Sequence, residues 1–263
     1  MAVSHAKNGS LPLMNLVRTT AFPIINQLHL EEKLLRTSSE NWCIINDGTV
    51  DSAIVMGVSG KLSDLVETRS VLRDRIPVVR RFSGGGTVVV GKGTIFVTFI
   101  CNKDAVPGLQ PYPCPIMSWT ARLYAKALHD VVDFSLREND YVFGDRKFGG
   151  NAQSITRARW LHHTSFLWDY DARNMRYLKH PPRAPKYRSS RRHEEFLCPM
   201  KGFLSSSSDF VDRTVASIED HFSLRQVELG AVTDSPAAAG YTQSTKLLTE
   251  EELKASVESE TEV

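Results

Sequence analysis

Arg80-Arg81-Phe82-Ser83-Gly84-Gly85-Gly86-Thr87-Val88-Val89-Val90 sets two cations and a hydroxyl before three consecutive glycines, then enters a β-branched run. The β-branched residues favour a strand. Glycine has no Cβ, so a ligand or a neighbouring backbone can approach to contact distance there. Arginine adds a planar donor fork for phosphate or carboxylate. The stretch therefore reads as a cationic, close-approach surface laid against a strand, suited to a small anionic or activated ligand.

Working outward, residues 22–36 read as an amphipathic helix carrying Ile24, Ile25, Leu28, Leu34 and Leu35 on one side. Cys43–Asn46 and Ser52–Gly57 read as two short strands around Asp47-Gly48, and Val78–Arg81 as another. Thr87–Val90 and Thr94–Ile100 read as a hairpin around Gly91-Lys92-Gly93. A helix is expected over about residues 115–132, with Pro115 in its first turn, and further strands over Tyr141–Phe148 and Trp160–Asp169. Residues 172–193 hold eight Lys or Arg, three prolines and no acid, a long basic loop. Ser205–Ser208 opens a helix through Phe210, Val211, Val215 and Ile218. Beyond about residue 230 the pattern decays into Ala, Ser and Glu, expected as a disordered acidic tail with room for a short helix.

Gly86-Thr87-Val88-Val89-Val90-Gly91-Lys92 matches the first seven positions of a phosphate-binding loop. The next residue is Gly93 instead of Ser or Thr, and a strand-like run follows where that loop requires a helix. The bland alternative, a turn with an exposed lysine, fits better.

With 263 residues and a net charge of +2, the chain suits one large domain with a small appendage and gives no global signature of a nucleic-acid binder. Cys43, Cys101, Cys114 and Cys198 form no CxxC pair and no metal spacing, which points to a reduced, intracellular setting and no metal site. No apolar run reaches the roughly 20 residues needed to span a membrane. The first 18 residues lack acids but carry only Lys7 and Arg18, a weak targeting signal. The expectation is mitochondrial residence in a eukaryote and cytoplasmic residence otherwise.

Two more clusters lie downstream: Lys147-Phe148-Gly149-Gly150-Asn151-Ala152-Gln153 and Leu161-His162-His163-Thr164-Ser165. Singly each has a plain explanation. Gly144-Asp145-Arg146-Lys147 is a common turn, and of two adjacent strand histidines one points inward. Together with Arg80–Gly86, in this order and spacing, they resemble the lipoate-protein ligase A and octanoyltransferase family, over roughly residues 14–225. The family carries RRxSGGG, KxxGxA and an HHG-type strand; the helix around Asn26–Glu32 is also similar to its opening.

The resemblance implies an α+β fold: a mixed, largely antiparallel sheet with flanking helices, shared with biotin protein ligases. It implies a flexible N-terminus at 1–13, a catalytic domain at 14–228 and a tail at 229–263. It also implies attachment of lipoyl or octanoyl groups to a lysine of lipoyl-domain proteins, namely 2-oxoacid dehydrogenase acyltransferase (E2) subunits and the glycine-cleavage H protein. ATP with magnesium would form an acyl-adenylate from lipoate or octanoate. Lys147 matches the active-site lysine, able to stabilise developing oxyanion charge. Arg80, Arg81, Ser83, Gly84, Gly85 and Gly86 match the ligand-cradling segment, Asn151 and Ala152 the acyl-adenylate contacts, and His162 a pocket-lining strand position. Arg188, Arg191 and Arg192 could reach a phosphate or, with the rest of the basic loop, steer an acidic partner.

The chain also departs from the ligase pattern RRxSGGGAVxHDxGN. Thr87 replaces Ala, Val90-Gly91 replace His-Asp, and Thr94 replaces Asn, on the nucleotide side. Thr164 replaces the last glycine of HHG. The alternative is therefore an ATP-independent lipoyl or octanoyl amidotransferase. A cysteine nucleophile would have to be Cys114 or Cys198, each read first as a structural thiol. A biotin ligase lacks support because GRGRxG is absent, and Lys147 argues against a degenerate acyl-binding protein. The accessory domain of bacterial ligases would come from a separate chain, since the acidic tail cannot supply it.

Overall fold

The computed structural model describes residues 10–234 and 240–261. Residues 1–9 of the expected flexible N-terminus, and residues 235–239 and 262–263 of the expected tail, lie outside the described residues. The chain runs β1 (Leu13–Thr20), α1 (Ile24–Thr37), β2 (Asn41–Asp47), β3 (Ala53–Met56), α2 (Leu62–Leu65), α3 (Thr68–Asp74) and β4 (Val78–Arg80). Then come β5 (Gly84–Gly85), β6 (Val88–Val90), β7 (Thr94–Asn102), α4 (Pro113–Ala127), β8 (Phe134–Arg137), β9 (Asp140–Phe143), β10 (Arg146–Ile155) and β11 (Arg159–Leu167). Short 3-10 turns fill the basic segment, followed by α5 (His193–Phe196), α6 (Ser207–Ile218), β12 (Ser223–Gln226), α7 (Leu229–Thr233), β13 (Lys246–Leu247) and α8 (Glu250–Thr261).

Two sheets result. The large one orders its strands β12-β1-β2-β7-β11-β10-β9-β8, with β5 added to β10; β1 is parallel to β2 and β12, and the other pairs are antiparallel. The small one orders β13-β4-β3-β6. This is the expected α+β architecture with a mixed, largely antiparallel sheet. One face of the large sheet is covered by α4 and α6. Trp119 and Tyr124 from α4 and Phe210 from α6 pack there against Phe99, Tyr141, Phe148 and Phe166, with edge-on ring pairs such as Tyr124–Phe166 at 4.9 Å between centroids. Such pairs add about 0.5–1.5 kcal/mol each beyond area burial. Helix α1 and the small sheet cover the opposite face, with Leu28 of α1 packed against Val55, Val79 and Phe96. No described helix is long and apolar enough to cross a membrane.

Several local expectations change. The runs around Gly91-Lys92-Gly93 are not a hairpin: β6 pairs with β3 in the small sheet, whereas β7 pairs with β2 and β11 in the large one. The turn hands the chain between sheets, and Gly93 is needed there because a Cβ would stand 2.3 Å from the Asp169 carbonyl oxygen. A strand follows this turn, so the phosphate-loop match has no helix to open. β2 and β3 likewise go to different sheets. The run 141–148 breaks at Gly144-Asp145 into β9 and β10. Strand β1 carried no clear periodic signal.

Residues 240–261 also differ from the expected disordered tail. Lys246 and Leu247 pair with Arg80 and Val79, and the Leu248 amide donates to the Val78 carbonyl. Leu248 and Leu253 are buried with Ile54, Val66 and Val71. The seam is polar: the fully buried Glu32 of α1 accepts from the backbone amides of Ser244 (3.0 Å) and Thr245 (2.9 Å) and from the Arg36 Nε (3.0 Å). Thr245 Oγ1 in turn accepts from the Phe82 amide at 3.2 Å. Composition hides this because only two leucines and one distant carboxylate anchor the segment. Glu32→Ala should leave those amides buried without an acceptor and destabilise the fold by about 2–4 kcal/mol. The expected readout is a lower urea midpoint, with proteolysis near residue 240 appearing first.

Candidate active site

Strand parity decides which residues meet. Register pairs Ala152 with His163 and His163 with Thr98, so these three share a face. Gly150 and Ser165 pair on the same face. Gln153, His162 and Phe99 pair on the other, the face of α4. Lys147 and Gly150 are three residues apart and would fall on opposite faces of a regular strand. A bulge between Lys147 and Gly149 corrects this. Phe148 is buried among the α4-side rings, and a Cβ on Gly149 would meet Phe166 and Tyr141 at 3.0 Å. Both residues of the bulge thus face α4, and Lys147 turns back over Gly150. The low strip of small residues Gly150, Ala152 and Ser165 on this face, between Lys147 and His163, is the candidate trough.

The glycine arc closes this trough. Gly84 and Gly85 pair with Gln153 and Ala152. Gly85 has φ +124°, and a Cβ there would lie 2.7 Å from Arg81 Nη2 and 2.8 Å from the Asn151 carbonyl oxygen. The Arg81 guanidinium is 4% exposed and donates to the carbonyls of Val55 (3.3 Å), Gly84 (3.3 Å) and Gly86 (2.8 Å). Burial lowers its pKa to about 10, and the Glu31 carboxylate opposes that shift. Arg81 therefore shapes the arc from inside: both terminal nitrogens bond backbone carbonyls, and its buried Nε has no partner among the described residues. Arg80 donates to the Gly60 carbonyl at 2.6 Å. Ser83 is buried, its carbonyl accepting from the Val58 amide at 3.1 Å.

Lys147 Nζ lies 2.7 Å from Asp140 Oδ1. Asp140 Oδ2 accepts from the Tyr187 hydroxyl at 2.8 Å, which ties the basic segment to the same carboxylate. The Cys198 amide donates to the Lys147 carbonyl at 2.9 Å, drawing α5 over the strand. Arg188 is 4% exposed, stacked over Phe196, and feels the Asp140 charge. His193 is pushed down to about 4, first by burial and then by Arg188, His180 and Lys147. Burial and these nearby cations keep the His193 imidazole neutral near pH 7.

The expected residues separate accordingly. Lys147, Gly84, Gly85, Gly86, Ala152 and Arg188 gather around the trough. His162 does not: it is fully buried on the α4 side, bonded to Gln153 (2.8 Å), Thr164 (3.2 Å) and Thr120 (3.3 Å). Burial, then His163, lowers its pKa to about 3. Asn151 also turns away, accepting from Thr164 and donating to the Asn139 carbonyl. Arg191 is tied to Asp145 (2.9 Å) and Arg192 to Glu194 (3.2 Å) at the surface. With Arg173 on Asp171 and Arg176 on Asp74, much of the basic segment is neutralised by carboxylates that lie outside it. His163 was quoted with the motif strand, whereas Asp140 beside Lys147, Tyr187 on Asp140 and Glu31 on His163 were not singled out. For Glu31 a signal existed, since it interrupts the apolar stripe three residues after Leu28 and four before Leu35.

A cavity of 580 Å³ lies apart from this trough, lined by Val50–Ser52, Val89–Thr94 and Asp169–Asp171, with Asn174 and Met175. It carries the Val90-Gly91 and Thr94 departures.

Comparison with known proteins places the chain in a family and a fold. Residues 23–225 match the model of the lipoyl protein ligase A/B catalytic domain, and the chain belongs to that family. The inactive lipoate–protein ligase 2 of Plasmodium falciparum is 26% identical over 253 residues, covering 74% of this chain and 65% of that protein. Lipoate-protein ligase A of Blochmanniella floridana is 27% identical over 171 residues, covering 65% and 50%. The chain thus spans half to two-thirds of these relatives' lengths. In fold it is similar to a bi-partite lipoate protein ligase of Thermoplasma acidophilum, described with its E2 lipoyl domain (TM-score 0.69, 16% identity, covering 85% of this chain and 89% of that one). It is also similar to a lipoate-protein ligase A bound with ATP (TM-score 0.67, 15% identity, covering 86% and 92%).

Two glycine substitutions should separate fold from site. Gly85→Ala forces a strained φ and a backbone clash, with a stability loss of about 1–3 kcal/mol or more. A Cβ at Gly150 would meet only the Lys147 Nζ and Cε, at 3.1 and 3.2 Å. Gly150→Ala should therefore melt within a few degrees of wild type while displacing the ammonium.

Proposed function

We propose that this chain transfers a lipoyl or octanoyl group onto a lysine of a lipoyl-domain protein. The observation that carries the reading is the Lys147 ammonium, set by Asp140 over Gly150 at one end of a trough with a floor of small residues. A thin acyl chain fits between small side chains. An ammonium at one end can hold the charge that develops on its carbonyl oxygen and on an attached phosphate. Arg188 adds cationic field, and the exposed backbone at Gly85 and Gly86 admits the acyl-phosphate closely.

In the leading form, an oxygen of the acyl carboxylate bonds the α-phosphorus of ATP, the bond to the β-phosphate breaks, and pyrophosphate leaves, giving the acyl-adenylate. The acceptor lysine then attacks: a C–N bond forms, the C–O bond to phosphate breaks, and AMP leaves with the electron pair. No enzyme nucleophile is required. Cys198 is buried with its thiol pKa raised by that burial, which favours a structural role. Family membership and the ATP-bound structural neighbour support this form. Among the described residues no three His, Cys, Asp or Glu converge as metal ligands, and no step is routed through magnesium. E2 subunits and the H protein are the proposed acceptors. The E2 domain described with the Thermoplasma ligase supports the first, and that ligase's bi-partite nature supports a separate accessory chain.

A second form, transfer without ATP from an acyl carrier or an acylated protein, is favoured by Val90-Gly91 and Thr94, where ligases carry polar nucleotide-side residues. One experiment separates the two. The protein is incubated with an apo lipoyl domain and either lipoate plus ATP, or octanoyl carrier protein or acylated H protein without ATP, and the domain is followed by intact mass. Gain only with ATP supports the ligase and gain only without it the transferase; no gain in any tube favours a non-catalytic acyl-binding protein or a missing accessory chain. Lys147→Ala should lower the active reaction at least about 100-fold with an unchanged melting temperature. Undiminished activity would contradict the role of Lys147.

A further inference from the structure

Glu31 is wholly buried on α1, and its carboxylate collects three donors. Gln27 Nε2 and Thr98 Oγ1 each donate to Oε1 at 2.8 Å. His163 Nδ1 lies 2.9 Å from Oε1 and 3.1 Å from Oε2. Asn46 holds Gln27 in place through a 2.8 Å bond to its amide oxygen. A carboxylate only accepts, so Nδ1 must carry the proton and the neutral ring keeps its lone pair on Nε2. Nε2 has no hydrogen-bond partner among the described residues, and the side chain retains 9% exposure. The ring leans on Phe96 (5.5 Å between centroids) and shares the trough face with Ala152. A base oriented by a buried acid, with its free nitrogen left open, is the arrangement used for proton transfer to and from nucleophiles.

We propose that His163 accepts the proton released by the attacking lysine amine, with Glu31 as its positioning residue. This rests on the acyl-transfer reading above. The neutral amine adds to the acyl carbonyl, the C–N bond forms, and the leaving group departs with its bonding pair. The proton of the now cationic nitrogen passes to His163 Nε2 and from there to water. Lys147 holds the oxygen charge and His163 takes the nitrogen proton, so the two ends of the trough divide the work. The groups facing the imidazole agree with this division. Glu31 from α1 supports a positive ring, and buried Arg81 balances that carboxylate from the glycine arc. Thr98 from β7 is neutral, and His162 on the reverse of the strand stays uncharged. Lys147 stands beyond Gly150 on β10.

The test uses a synthetic lipoyl-adenylate and an apo lipoyl domain in single turnover, so that ATP chemistry is bypassed. His163→Gln should slow transfer about 10²–10⁴-fold at neutral pH while binding the adenylate within about threefold of wild type. Glu31→Gln should slow transfer about tenfold or more, with the adenylate still bound within about threefold of wild type, and should weaken the Nδ1–H preference at His163. Nitrogen-15 NMR of the wild type should report the Nδ1–H tautomer at His163. An active wild type with His163→Gln within about threefold of it, or an Nε2–H tautomer, overturns the proposal alone. If His163→Gln does not fold, the slowed transfer of Glu31→Gln and the His163 tautomer decide. A wild type that transfers nothing overturns the acyl-transfer reading, and this proposal with it.

Discussion

The close approach of Gly84–Gly85 to β10 is the constraint on which the site depends. It brings the first and second sequence clusters into backbone contact and makes the small sheet one wall of a trough whose floor is the large sheet. Only glycine permits it, because a Cβ at residue 85 would strike both the Arg81 guanidinium and the Asn151 carbonyl. Arg81 holds the arc by spending its donors on three carbonyls, in a setting dry enough to lower its pKa. A buried cation is costly without a partner charge, and Glu31 supplies one. The same carboxylate fixes the His163 tautomer, so the shape of the arc and the polarity of the trough share a support. The chain's C-terminal part adds a second support, from Glu32 through Thr245 to the Phe82 amide.

The fold class and the elements bearing the motifs were legible because they rest on local signals: the stripe of α1, the Pro-led α4, and the β-branched runs. Pairing was less legible. Val88–Val90 and Thr94–Asn102 look like partners in sequence, yet the glycine turn between them passes the chain to another sheet. Nothing in either run encodes that choice; it depends on Asp169 lying against Gly93. The segment 240–261 was illegible for a related reason, since its anchors are far upstream in sequence.

Within the site, Lys147, the glycines and Ala152 were legible from their resemblance to a family pattern. Side-chain direction was not. The bulge at Phe148-Gly149 shifts the parity of β10, and adjacent His162 and His163 can be told apart only by register. Alternation called for one inward histidine, yet both are buried, His162 toward α4 and His163 against Glu31 of α1. Asp140, Tyr187 and Glu31 act through contacts across 7, 47 and 132 residues of sequence, which no local pattern displays.

The central claim is that the acyl group lies in the trough between Lys147 and His163, under the glycine arc. A crystal structure with a non-hydrolysable acyl-sulfamoyl adenosine tests it most directly. The account predicts the acyl carbonyl over Gly150 and Ala152, with its oxygen within hydrogen-bond reach of Lys147 Nζ and its carbon facing His163 Nε2. An acyl chain lodged instead in the separate cavity beside Gly91, Asp169 and Asp171, or a ligand that leaves Lys147 untouched, would contradict it.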